Sequence, residues 1–266
     1  MEEKLILVCN DDGIHASGIE ALIEVVKPFG KVLVVAPSEG QSGMSHAITI
    51  KVPLRVHKVK NEGEGNITRY ICSGTPVDCV KLAISRIAER KPDLIVSGIN
   101  HGGNSSASIV YSGTMAAAME GCVNGIPSIG FSLLDVSREA DFSAVKKIAH
   151  EIIEKIFSEP LEPGVCLNVN VPQLPHSEIK GIKICRQTKG LWIEEFDKRT
   201  DPNRKDYYWL TGLFQNLEPD ATDTDEWALS NNYVSVVPVK IDLTSYETLA
   251  ILKPWENEIF SSLLKS

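Results

Sequence analysis

The sequence predicts an α/β protein built around a mostly parallel sheet. Three observations carry that prediction. Short apolar runs without polar alternation, the pattern of strands buried on both faces, recur at Leu5–Cys9, Val32–Val35, Leu94–Ser97 and Ser128–Phe131. Helix-start chemistry stands between them, which is the alternation of a parallel sheet with crossover helices. The composition then changes near residue 190: 15 of the 19 glycines precede Phe131, whereas all four tryptophans follow Lys189. A glycine-punctuated scaffold is thus followed by a segment of large apolar anchors. This divides the chain into a core at 1–135 that carries the polar loops, a completion of that core at 136–189, and an aromatic-rich extension at 190–266.

Each element has its own local reason. Ser17-Gly18-Ile19-Glu20 has capping-box spacing and opens a helix with an apolar face at Ile19, Leu22, Ile23 and Val26. Ala36-Pro37-Ser38 stops the second strand. Ile48–Val59 and Ile67–Cys72 read as a hairpin about the glycine-rich turn Asn61–Asn66. Thr75-Pro76-Val77-Asp78 places a cap, a proline at the first helical position and an acid at the third, so a helix should run to about Arg90. Thr114–Val123 is helical and closed by Asn124-Gly125, and Ala140–Phe157 is an amphipathic helix. Val165–Val171, Lys183–Cys185 and Val234–Val239 are further strand candidates, and a short helix begins at Pro254.

The 266 residues, 43% apolar and 23% charged, suit a globular protein with a substantial core. A net charge of −8 argues against a nucleic-acid duplex as partner. The apolar runs fall short of the roughly 18 residues of a membrane span, and the first is too short for a signal peptide. Six cysteines without C-x-x-C spacing read as buried reduced thiols, so the expected location is the cytoplasm.

Ligands of open α/β sheets bind beyond the carboxyl ends of the strands. The first strand is followed by Asn10-Asp11-Asp12-Gly13, the second by Ser38-Glu39-Gly40-Gln41-Ser42-Gly43, and Leu94–Ser97 by Gly98-Ile99-Asn100-His101-Gly102-Gly103-Asn104. These polar, glycine-rich loops should meet at one edge. Asp11 and Asp12 are adjacent carboxylates with no Lys or Arg nearby in sequence, and they repel unless a cation lies beside them. With hydroxyl and amide oxygens as their companions, the donors suit Mg²⁺, Mn²⁺ or Ca²⁺ rather than structural zinc. Asp-Asp-Gly alone would be a plain turn; three convergent loops favour the site. Ser112-Gly113-Thr114 opens a small-residue helix whose N-terminus suits an anion such as phosphate. Ser112 can also simply cap that helix, and the two roles coexist. His15 and His101 flank the proposed loops, either as acid–base groups or as bland neighbours. Asp220, Asp223 and Asp225 lack the glycine and distal glutamate of an EF-hand, and a solvated or capping role fits them better. The tryptophans read as packing or interface anchors.

Taken in order, Val8-Cys9-Asn10-Asp11-Asp12-Gly13, Ala36-Pro37 with Gln41-Ser42-Gly43, Ser73-Gly74-Thr75-Pro76-Val77-Asp78-Cys79-Val80, Asp93–Asn100 and Tyr111-Ser112-Gly113-Thr114 resemble the SurE family of metal-dependent 5′-nucleotidases. Thr224-Asp225, Ala228 and Tyr233-Val234-Ser235 extend the likeness over nearly the whole chain. The resemblance implies a Rossmann-like, three-layer core with a C-terminal β-hairpin and helix extension exchanged between subunits of a homodimer or homotetramer. It implies one divalent cation per subunit, Mg²⁺ or Mn²⁺, on Asp11, Asp12, Ser42 and Asn100, with Asp11 and Asp12 catalytic. Asn104, Ser112, Gly113 and Thr114 would surround the phosphate. The chain departs from the family at Val77, where alanine is usual, and at Ser106 and Asn232, where glycine is expected; asparagine tolerates the left-handed region that glycine favours.

The implied activity is metal-dependent hydrolysis of nucleoside 5′-monophosphates, with 3′-nucleotides and short polyphosphate left open. A phospho-aspartyl mechanism ranks lower because the D-x-D spacing is absent. The alternatives from other classes are a metal-dependent nucleotide sensor without turnover and an interaction protein working through its aromatic segment.

Overall fold

The computed structural model describes residues 3–59 and 65–263. The first half runs β1 (Lys4–Cys9), α1 (Ser17–Val26), β2 (Gly30–Pro37), β3 (Val56–Lys58), β4 (Ile67–Cys72), α2 (Pro76–Leu82), β5 (Leu94–His101), α3 (Gly113–Val123) and β6 (Ser128–Leu133). Then come α4 (Ser143–Ser158), β7 (Val165–Val171) and β8 (Ile182–Ile184). Four strands follow: β9 (Gly190–Ile193), β10 (Phe196–Thr200), β11 (Asp206–Leu210) and β12 (Leu213–Asn216). The chain ends through α5 (Asp225–Ser230), β13 (Val234–Lys240), α6 (Tyr246–Leu252) and α7 (Trp255–Leu263).

Nine strands make one sheet in the order β3-β4-β2-β1-β5-β6-β7-β13-β8. It is mostly parallel; β3 against β4 and β13 against β7 are the antiparallel pairs. Side-chain alternation along β1 explains the three layers. Ile6 and Val8 pack with Ile19, Leu22 and Val26 of α1 and with Val145, Ile148 and Ile153 of α4. Leu5, Leu7 and Cys9 face the other way, onto Cys79 and Val80 of α2 and Ala117 of α3. The fold is the α/β, Rossmann-like class expected.

Several boundaries differ, each for a visible reason. Ser17 is not a cap: Ala16 holds that position, the Ser17 hydroxyl lies 3.1 Å from His101 Nε2, and Glu20 is taken by Arg69 at 2.6 and 2.8 Å. The long-range partners outbid the local capping box. The Thr75 box does form, with Asp78 N–H donating to Thr75 Oγ1 and Thr75 N–H donating to Asp78 Oδ2, but α2 ends at Leu82 and continues as a π-helical turn over Ala83–Ile87. Of the strand expected over Ile48–Val59 only Val56–Lys58 pairs; Thr49 N–H is drawn instead to the Asp78 carboxylate at 3.1 Å. The Asn61–Asn66 turn lies for the most part outside the described residues. Residues 225–240, which the sequence division groups with the C-terminal extension, add α5 and β13 to the core.

The segment 190–216 leaves that core. β9 pairs with β12 and β10 with β11, as two small antiparallel sheets apart from the main one. We call this segment the arm.

Candidate functional site

Strand order reverses at β1, whose neighbours β2 and β5 lead into crossovers of opposite direction, and ligand crevices form at such a switch. Asn10, Asp11 and Asp12 leave β1 at this point. Asn10 Nδ2 donates to the Gly13 carbonyl at 2.9 Å and closes the turn. The loop after β2 lies alongside, with Gln41 N–H donating to the Asp11 carbonyl at 2.7 Å. Further on, Ser45 Oγ donates to the Val110 carbonyl at 2.7 Å, and His46 Nε2 lies 3.2 Å from Glu120 Oε2 of α3. The loop that carries Ser42 is thereby fastened to Asp11 at one end and to α3 at the other, with Ser42 exposed upon it. Asn100 stands at the end of β5, just past a register shift against β6. Its Nδ2 donates to the Gly102 carbonyl at 2.7 Å, which leaves Oδ1 as an acceptor.

The first turn of α3 comes from the far side. Gly113 is needed there, because a Cβ would lie 2.7 Å from the Asp11 Cβ and 3.0 Å from its Oδ2. Thr114 Oγ1 donates to Asp11 Oδ1, and the Thr114 backbone N–H also bonds this carboxyl. Thr114, expected around the phosphate, therefore gives its donors to Asp11, an anchoring role that sequence reasoning missed. Ser112 caps the helix, accepting from Met115 N–H at 3.0 Å, and its own hydroxyl hydrogen stays available.

Asn104 is buried in a relay of amides. Its N–H donates to Asn170 Oδ1 at 2.7 Å, its Nδ2 to Ser132 Oγ at 2.9 Å, and its carbonyl accepts from Asn168 Nδ2 at 2.8 Å. These partners come from β6 and β7, two strands that carry no functional motif in the sequence.

Electrostatics single out the paired carboxylates. Burial pushes the Asp11 carboxyl up to about 6, against the lowering bonds from Thr114, and the Asp12 charge pushes the same way. Burial raises Asp12 as well, offset in part by His101. Asp12 Oδ2 and Asn10 Oδ1 are buried and have no partner. Two desolvated carboxylates and two orphaned oxygens, with neutral oxygen donors near at hand, fit a hard divalent cation: it would supply the missing positive charge. Neither of two large clefts, of about 800 and 680 Å³, is lined by Asp11 or Asp12, but the second reaches the site's margin, with Ser45, His46 and Ser112 in its wall.

Sequence reasoning also missed the C-terminal contribution to the loop after β5. Asp225, buried, accepts from Ser106 N–H at 2.8 Å and Thr188 N–H at 2.9 Å, and Ser105 Oγ donates to Glu226 Oε1. Ser106 has φ +49° and Asn232 φ +68°, so both take the left-handed conformation where the family resemblance implied glycine. That departure at 106 was the available signal.

Fold and site together define a Rossmann-like protein whose switch-point edge gathers oxygen donors around a buried and a half-buried carboxylate. A family model described as Survival protein SurE matches residues 6–194. The 5′-nucleotidase SurE of Flavobacterium johnsoniae is 56% identical over 255 residues, covering 96% of this chain and 98% of that protein. That of Bacteroides fragilis is 47% identical over 261 residues, covering 96% of this chain and 100% of its own. Among solved structures, the SurE protein from Aquifex aeolicus superposes with a TM-score of 0.81 at 40% identity, over 95% of this chain and 99% of that one. The chain belongs to the SurE family.

Proposed function

We propose that this protein is a nucleotide phosphatase that hydrolyses nucleoside 5′-monophosphates to nucleoside and phosphate. The observation that carries the reading is the pair Asp11 and Asp12 at the switch point, Asp11 buried and Asp12 half-buried with an unpartnered, buried carboxylate oxygen. The names of relatives matched over nearly their full length support the substrate class.

Asp11, Asp12, Ser42 and Asn100 would hold one divalent cation per subunit, Mg²⁺ or Mn²⁺, which when bound supplies Lewis-acid polarisation of the phosphoryl group. Thr114 fixes the Asp11 carboxylate through its hydroxyl and backbone N–H, so the ligand is preorganised. Ser112 and Gly113, at the positive end of α3, and the Asn104 amide bind the phosphoryl oxygens as charge redistributes over them. Besides holding the cation, one of the two carboxylates, Asp11 or Asp12, takes the proton of the attacking water. The water oxygen joins phosphorus in line as the bond to the nucleoside oxygen breaks, and the leaving oxygen is protonated from solvent.

The arm and the tail helices serve oligomerisation, as a homodimer or homotetramer with exchanged C-terminal elements. Their exposed apolar side chains support this: Phe196, Tyr208, Trp209 and Leu210 on the arm, Ile251 and Phe260 on α6 and α7. Six free buried cysteines accord with a cytoplasmic location, and among the described residues no helix is long and apolar enough to cross a membrane.

The test is phosphate release from a panel of nucleoside monophosphates with Mn²⁺ or Mg²⁺, repeated with chelator. Release that needs metal and differs across the panel is expected. Nucleotide binding without release under either metal would replace the enzyme with a sensor.

A further inference from the structure

The loop from Asn104 to Ser112 is held at two posts. One is the amide relay of Asn168 and Asn170 at Asn104. The other comes from 81 to 119 residues further along the chain and grips Ser106 at each of its polar groups. Ser106 N–H donates to Asp225 Oδ2 at 2.8 Å, its hydroxyl donates to the Thr188 carbonyl at 2.9 Å, and its carbonyl accepts from Gln187 Nε2 at 3.0 Å. The grip opposes a conformational preference, because a serine at φ +49° is strained and persists only where its surroundings over-determine it.

Asp225 is an unusual choice for mere packing. It is 1% exposed, and its donors are the neutral N–H groups of Ser106, Thr188 and Glu226 with the Thr188 hydroxyl. A buried carboxylate satisfied by neutral donors alone is costly, and its return is strong, charge-assisted, directional bonds. From Ser106 a short 3₁₀ turn over Ser106–Val110 leads directly to Ser112, the cap of α3. Gly190, first residue of the arm, closes on the same point: a Cβ there would lie 2.9 Å from Ser106 Oγ.

We propose that Asp225, acting with Thr188, is a positioning residue for phosphate binding: it locks Ser106 in the left-handed conformation and so sets Asn104 and Ser112 at the spacing a phosphoryl group requires. This rests on the reading that Asn104, Ser112 and Gly113 hold the phosphate. Asp225 itself touches no substrate. Loss of the lock loosens the anion site first, because Asp11 and Asp12 follow β1 and Asn100 ends β5, outside the 104–112 segment, and the cation residues meet that segment through Thr114 and the Ser45 contacts to Val110 and Tyr111.

The experiment compares Asp225→Asn, Thr188→Val and Thr188→Ser with the unmodified protein. It reads KM and kcat for a nucleoside 5′-monophosphate, the inhibition constant of inorganic phosphate, Mn²⁺ affinity by calorimetry, and hydrogen exchange of the 104–112 amides. Asp225→Asn is expected to raise KM and the phosphate inhibition constant together by about tenfold, the size of one charge-assisted hydrogen bond, with Mn²⁺ affinity changed less than either and exchange faster across 104–112. Thr188→Val should move the same quantities less, and Thr188→Ser should restore them; the Thr188 pair carries the comparison if Asp225→Asn does not fold. Wild-type KM, phosphate inhibition and exchange in a folded variant, with only the melting temperature lowered, would overturn the proposal. If the unmodified protein hydrolyses no nucleotide, the function assignment falls by itself, and exchange at 104–112 still decides the lock: faster in the variants upholds it, unchanged overturns it.

Discussion

The core sheet and the arm are both β-structure, yet they are stabilised in opposite ways. In β1, residues Leu5 through Cys9 are all buried, as are all six residues of β6. In β10 and β11 every residue is exposed, including Tyr208, Trp209 and Leu210. The core strands derive their stability from apolar surface removed from water on both faces. The arm has backbone pairing and a few contacts such as Trp192 on Phe214 at 5.9 Å, and a two-stranded ribbon of that kind is marginal alone. Folding energy therefore resides in the sheet, whereas the arm leaves its large apolar side chains uncovered within the chain.

The largest effect should come from the edge of the core. Asp11→Asn or Asp12→Asn is expected to lower metal-dependent turnover on the order of a thousandfold in a folded protein, read as phosphate release. Near wild-type rates in both would remove the site from this edge. Next is the packing of the sheet itself. Phe131→Ala, at a fully buried position in β6, should cost about 4 kcal/mol in urea unfolding. A loss under 1 kcal/mol would show that the central sheet is not where stability lies.

A third expectation follows from the Asp11 carboxyl, raised from 3.8 to about 6 by burial. The folded state favours its neutral form, so the group contributes stability that is fully present below pH 3.8 and lost as pH rises through about 6. At 1.36 kcal/mol per unit the loss is roughly 3 kcal/mol in metal-free protein. Urea melts of the wild type and Asp11→Asn across pH 4–7 should diverge with that sign, and saturating Mn²⁺ should close the gap for the wild type alone. The smallest effect belongs to the arm. Trp209→Ser should change monomer stability by less than about 0.5 kcal/mol, while light scattering shows a smaller assembly; a large stability loss with unchanged assembly would mean that Trp209 packs within its own chain.

The same contrast explains what was legible in the sequence. The runs Leu5–Cys9 and Val32–Val35 announce their strands by being apolar without a break, because burial on both faces leaves no alternation to confuse. The switch-point loops follow from strand order, and the Thr75 cap is a local contest that the local residues win. What was lost is long-range. Ser17 and Glu20 carry the spacing of a capping box but bond His101 and Arg69, far away in sequence. The anchoring of Asp11 by Thr114 spans 103 positions, and that of Ser106 by Asp225 spans 119, so neither leaves a trace in spacing. Asn232 shows the opposite case. Its tolerance of the left-handed region is a property of the residue itself, and φ +68° bears it out.

The arm departs after Lys189 and returns at Leu217, and Leu217 N–H donates to the Lys189 carbonyl at 2.9 Å. Exit and entry are thus one hydrogen-bonded doorway, beside which Arg186 already bridges to Thr224. An insertion whose ends meet imposes no change of register on the strands that flank it. Beyond Gly190, which closes on Ser106, the arm can lengthen, shorten or exchange aromatic for polar without shifting the register of β13 against β7. Whatever the outer part of the arm meets can therefore change without disturbing the sheet edge that holds Asp11.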